Sequence, residues 1–215
     1  MRLSPVALGL VLSLGAACGS ETGVEAREER LLRAARDGNL SEVRRLVDLG
    51  VDIETRHPGD GWTPLFWAGV RGHAPVVKYL VGRGARLEAR DRRGLTPLLH
   101  AARWGKEEGV AALLAEGASL GAVDGNGWNA LMWAAFKGQT EMAAFLLDRG
   151  AALESRDPDG RTPLMLAAMK GQAASVELLL SRGAEPRAVG PDKLTASDLA
   201  LKNGYPDLSK RLAGL

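Results

Sequence analysis

Thr96-Pro97-Leu98-Leu99-His100-Ala101-Ala102-Arg103-Trp104-Gly105 is the stretch on which the reading of the fold turns. Thr96 is a residue type whose side chain accepts from the free N–H groups of a helix start, and Pro97 fits the first helical position because its missing N–H has no partner to lose there. Paired alanines then let a neighbouring helix approach closely, and Gly105 permits the left-handed conformation that ends a helix. The same tetrapeptide start recurs at Thr63-Pro64-Leu65-Phe66, Asn129-Ala130-Leu131-Met132 and Thr162-Pro163-Leu164-Met165, always at the interval that separates Thr63 from Thr96, with a worn form at Thr195-Ala196-Ser197-Asp198. A glycine follows nine residues after each start, at Gly72, Gly105, Gly138, Gly171 and Gly204. A second glycine, followed by alanine, keeps the same period at Gly84, Gly117, Gly150 and Gly183. So many agreements at one spacing define a repeat chain.

Between the two glycines of each unit lies a second helix. In the first full unit Val76, Val77, Leu80 and Val81 form its buried stripe. Polar turns such as Asp124-Gly125-Asn126-Gly127 join one unit to the next. A unit of two short helices and a turn is too thin to cover both its own apolar sides, so the units must stack.

This pattern resembles the ankyrin repeat over nearly all of the chain after Ala26. The resemblance implies an all-α repeat solenoid, a stack of antiparallel helix pairs with connecting β-hairpin loops. An N-terminal cap falls at about 27–58, full repeats at about 59–91, 92–124, 125–157 and 158–190, and a C-terminal cap at 191–215. One departure recurs. Family members often carry His at the fourth tetrapeptide position, where Phe66, Leu99, Met132 and Met165 stand here, so the hydrogen bonds of that imidazole must be absent or replaced.

Composition narrows the function. Of 215 residues 46% are hydrophobic and 25% charged, enough for a substantial core. Lys plus Arg is 28 against 26 for Asp plus Glu, too balanced for a chain whose affinity comes from neutralising phosphates, so no nucleic-acid partner is expected. One cysteine excludes an internal disulfide framework, and with three histidines it leaves too few soft ligands for a structural zinc site. Gly117-Ala118-Ser119-Leu120-Gly121 has the spelling of a nucleophile elbow but follows a helix rather than a strand, and Gly105-Lys106 lacks the Ser or Thr of a phosphate loop. No histidine has a nucleophile or carboxylate partner visible in the sequence. The chain is therefore expected to have no catalytic, metal or cofactor-binding residues.

The segment Met1 to Cys18 reads as an address. Arg2 is followed by the apolar run Val6 to Ala17, which is too short to span a bilayer core of about 30 Å but suits an export signal. Gly15-Ala16-Ala17 before the lone Cys18 resembles a bacterial lipobox, with Gly15 where leucine is usual. The resemblance implies a lipidated Cys18 and an exported protein, in the periplasm or anchored at a bacterial membrane. Ordinary signal cleavage after Ala17, with Gly15 and Ala17 as the small cleavage-site residues, and a buried N-terminal helix are the alternative readings of the segment. Residues 19–26 then read as a polar tether of at most about 28 Å.

The ankyrin resemblance also implies another protein as partner, bound by a monomer on a concave face lined by loop tips and first helices. All five tryptophans map to those positions. Trp62 and Trp128 precede helix caps, Trp67 and Trp133 share a first-helix place, and Trp104 ends the helix between them, with Phe136 nearby. Aromatic residues favour interfaces because they bury much area with little rotamer loss. Basic residues end each first helix: Arg36, Arg71, Arg103, Lys137, Lys170 and Lys202. The candidate partner-binding set is Trp62, Trp67, Arg71, Arg103, Trp104, Trp128, Trp133, Phe136, Lys137 and Lys170. An inhibitor or immunity role, and a scaffold or stabiliser of an envelope enzyme, use the same surface.

Overall fold

The computed structural model describes residues 14–190 and 192–215, with side chains from residue 23 onward. Most of the expected export signal, residues 1–13, lies outside the described residues, as does the side chain of Cys18. Twelve helices and no strand are found among the described residues. The first helices are α1 (Leu14–Arg36), α3 (Pro64–Arg71), α5 (Pro97–Arg103), α7 (Ala130–Lys137), α9 (Pro163–Met169) and α11 (Ala196–Lys202). Each is followed by its antiparallel second helix: α2 (Leu40–Asp48), α4 (Ala74–Gly82), α6 (Glu107–Ala115), α8 (Thr140–Asp148), α10 (Ala173–Ser181) and α12 (Pro206–Ala213).

The tetrapeptides act as read. Thr63, Thr96, Thr162 and Thr195 each accept through Oγ1 from the backbone N–H three residues on, and Asn129 does the same through Oδ1 at 2.9 Å from Met132. First helices pack on first helices along the whole row. Ala101, Ala102, Ala134, Ala135, Ala167, Ala168 and Ala200 have no exposed surface, because a methyl group is all the space between adjacent helices admits. On the second helices Val76, Val77 and Leu80 are fully buried, while Val81 is only partly covered.

Two expectations are modified. The connecting loops are narrow hydrogen-bonded turns rather than strand ladders: in the central one Asp124 N–H donates to Trp128 O and Gly127 N–H to Asp124 O, both at 3.0 Å. Residues 19–26, read as a tether, are part of α1, whose continuation through Glu, Ala and Arg residues suits a helix. Its last turns pack: Leu31, Leu32, Ala34 and Ala35 are buried.

One contact sets how closely units can approach. Gly109 on α6 lies against Gly69 of α3, and a Cβ at Gly109 would stand 2.2 Å from the Gly69 carbonyl oxygen. A Cβ on Gly82, at the end of α4, would meet nothing within 4 Å. Gly109→Ala is therefore expected to cost about 1–3 kcal/mol by forcing the helices apart. Gly82→Ala should be neutral or stabilising by up to about 1 kcal/mol. Thermal and urea melts of the two variants check the contrast; equal effects would refute the packing.

Candidate functional site

The loops and first helices carry two aromatic clusters. In one, Trp62 stacks on Phe66 at 4.5 Å between ring centroids and meets Trp67 at 4.5 Å, His100 at 5.0 Å and Trp104 at 5.8 Å. In the other, Trp128 contacts Trp133 and Phe136, each at 4.8 Å. The sequence placed all five tryptophans at one surface, but the structure divides them. Trp62, Trp128 and Trp133 are buried and act mainly as packing residues, Trp67 is partly covered, and Trp104 is 45% exposed.

Beneath the aromatics runs a row of loop aspartates, Asp91, Asp124 and Asp157, one per unit. In each, Oδ1 accepts from backbone N–H groups of its own turn: Arg93 and Leu95 for Asp91, Asn126 and Trp128 for Asp124, Arg161 for Asp157. The second oxygen takes a buried side-chain donor. It receives His100 Nε2 at 2.8 Å on Asp91, Trp133 Nε1 at 3.0 Å on Asp124, and both Trp128 Nε1 and Arg161 Nε on Asp157. The imidazole bonds missing from the tetrapeptides are thus replaced from the next helix position or the neighbouring unit. This corrects the expectation that no histidine has a carboxylate partner: His57 Nδ1 also lies 3.0 Å from Asp60. A nine-residue offset, Asp91 to His100 and Asp124 to Trp133, is the sequence signal for both bonds.

His100 and Asp91 side chains are each only 4% exposed. An ionised Asp91 can only accept, so Nε2 donates, and Nδ1 is left a buried acceptor without a partner. This geometry holds a neutral imidazole and offers no nucleophile to activate. Burial lowers the His100 pKa below its ordinary 6.5, against the opposing pull of Asp91. For Asp91 burial resists ionisation, but the hydrogen bonds from His100, Leu95 and Arg93 outweigh it and the pKa falls below 3.8. Among the described residues no group of His, Cys, Asp and Glu is placed to hold a metal ion.

Outward from the aromatics stand the cations. Arg103 stacks its guanidinium on Trp133 at 4.6 Å, and its buried Nε has no partner. Lys137 and Lys170 lie over the Phe136 ring at 5.6 and 5.0 Å. Arg71, Arg103, Lys137 and Lys170 form no ion pair among the described residues, whereas Arg36 is paired with Asp37 at 3.0 Å. At the N-terminal end, α1 and the first loop enclose a groove of about 660 Å³, with Leu32, Arg36, Arg56, His57 and Trp67 among its walls.

A family model described as ankyrin repeats (3 copies) matches residues 31–124 and 109–190. The chain belongs to the ankyrin-repeat family. It is 43% identical over 68 residues to mouse (Mus musculus) ankyrin repeat domain-containing protein 40, covering 32% of this chain and 19% of that protein. It is 39% identical over 84 residues to palmitoyltransferase AKR1 of Yarrowia lipolytica, 39% of this chain and 12% of that one. A match to E3 ubiquitin-protein ligase XBAT32 of Arabidopsis thaliana reaches 36% over 78 residues, 35% and 15% of the two. The chain spans about a fifth or less of the length of these curated relatives, and what is shared is the repeat stack. Ankyrin repeats are protein–protein interaction modules, and this ankyrin chain presents Trp104, part of Trp67 and the cations Arg71, Lys137 and Lys170 on the surface made by loops and first helices.

The buried pair fixes a pH response. Because the folded His100 has the lower pKa, its contribution to stability is complete above about 6.5 and is lost as pH falls below that value. Asp91 adds a further loss below 3.8. The melting midpoint of the wild type should therefore drop between pH 7 and 5, and His100→Gln, which still offers a donor to Asp91, should remove that part of the drop. Parallel pH profiles for the two proteins would contradict the assignment.

Proposed function

We propose that this chain is a non-catalytic module that grips a partner protein on its concave, loop and first-helix face, and that it is exported and held at a bacterial membrane through Cys18. The observation that carries the binding reading is the row of Arg71, Arg103, Lys137 and Lys170, without ion pairs among the described residues, beside the exposed Trp104. Such a row speeds encounter with an acidic surface and fixes its orientation. The aspartate anchors hold the aromatic bed rigid before the partner arrives, so little ordering accompanies binding. Trp62, Trp128 and Trp133 serve as that bed; Trp104, Trp67 and the cations make the contact.

The test is affinity capture from a bacterial envelope extract with the wild type and with a Trp104→Ala, Arg71→Glu, Lys137→Glu, Lys170→Glu variant. The variant should lose the enriched partner while its circular dichroism spectrum stays that of the wild type, since all four changes are at exposed positions. Undiminished capture would refute this face as the binding surface.

The tether reading rests on sequence: the lone cysteine follows three small residues at the end of an apolar segment. Cys18→Ala should move the protein from the membrane to the soluble fraction and abolish labelling by a radioactive fatty acid. Unchanged membrane association would remove the tether.

A further inference from the structure

The outer row of second helices is interrupted in the middle. α2 packs on α4, α4 on α6 and α8 on α10, whereas α6 and α8, like α10 and α12 at the C-terminal end, scarcely touch. The Gly69–Gly109 approach draws α6 toward the preceding unit, and on its other side Ala111 and Ala115 are too short to bridge the space to α8. What results is a groove of about 440 Å³ lined by Ala111, Leu114, Ala115, Leu120 and Arg149.

The same place breaks a row of ion pairs. A residue two before one unit-ending glycine pairs with the residue just before the next: Asp48 with Arg83, and Asp148 with Arg182 at 2.8 Å. The corresponding positions between them are Gly82 with Glu116 and Ala115 with Arg149, and neither set can make the bond. Arg149 is left without its carboxylate. Its guanidinium lies over the Phe145 ring at 3.3 Å and donates one long hydrogen bond, 3.3 Å, to the Phe145 carbonyl. It forms no ion pair among the described residues, with Glu116 or any other acid.

We propose that this outer groove docks a segment of a partner protein in which an Asp or Glu stands beside a leucine-like residue. The carboxylate completes the missing rung on Arg149, and the apolar side chain covers Leu114 and Leu120. A guanidinium at the rim of an apolar groove discriminates by charge, because a carboxylate gains a charge-assisted bond there while an ammonium is repelled. The site lies on the second-helix row and goes beyond the concave-face reading.

The test uses the full chain with labelled leucine methyl groups, titrated by NMR with the peptides acetyl-Asp-Leu-Leu-amide and acetyl-Lys-Leu-Leu-amide and with octanoate. The acidic peptide should shift the Leu114 methyls saturably and bind at least about tenfold more tightly than the lysine peptide. Arg149→Gln and Ala115→Asp should each abolish the shift, and Ala115→Asp, by rebuilding the rung within the chain, should also raise the melting midpoint. The Trp104, Arg71, Lys137, Lys170 variant should bind as the wild type does, which separates this site from the concave face. Equal affinity for both peptides, or binding that survives Arg149→Gln, would overturn the proposal. A response to octanoate without one to the acidic peptide would overturn it too, marking a lipid site instead.

Discussion

A unit of two short helices has apolar surface on both sides and can cover neither by itself; only the next unit can. Everything else in this molecule follows from that constraint. It requires a methyl-sized side chain wherever first helices face one another, hence Ala101, Ala134 and Ala167 without exposed surface. It admits a bare backbone where α3 and α6 meet at Gly69 and Gly109. It also makes the stack tolerant of local difference, since each unit answers only to its two neighbours.

That tolerance is visible in the loop aspartates. All three need a buried donor for the second carboxylate oxygen, because an unpaired charge in that setting is costly. One unit supplies an imidazole, the next an indole, the third an indole from the preceding unit together with its own guanidinium. Different chemistry yields one loop geometry. The loops are further stitched by arginines: Arg90 donates to both Gly94 O and Val123 O, and Arg156 to Gly160 O and Val189 O. Where Val123 stands in the arginine's place, the Trp128 to Asp157 bond crosses between units instead. The face that results is preorganised by polar bonds underneath and decorated by cations above.

The fold was legible in the sequence because spacing is a one-dimensional signal: the tetrapeptides, the paired alanines and the two glycines each mark a helix boundary by its own physical requirement. The face was legible only in part. That Trp104 and Trp133 sit on the same side of the stack is a matter of register, but whether an indole faces solvent depends on its neighbours in space, and Asp124 together with Arg103 of the preceding unit covers Trp133. The Asp91–His100 bond was readable from its nine-residue offset, yet only in the company of Asp124 and Trp133. The gap between α6 and α8 leaves no motif. It comes from the short side chains at Ala111 and Ala115, and absence becomes visible only when the outer row is assembled.

Native-state hydrogen exchange, followed helix by helix by mass spectrometry, tests the nearest-neighbour account most directly. Units covered on both sides should open least readily, so protection should be greatest in α5, α7 and α9 and decline toward α2 at one end and α12 at the other. A single uniform opening free energy across all helices would contradict it, showing a core that folds as one body rather than a stack held by adjacent contacts.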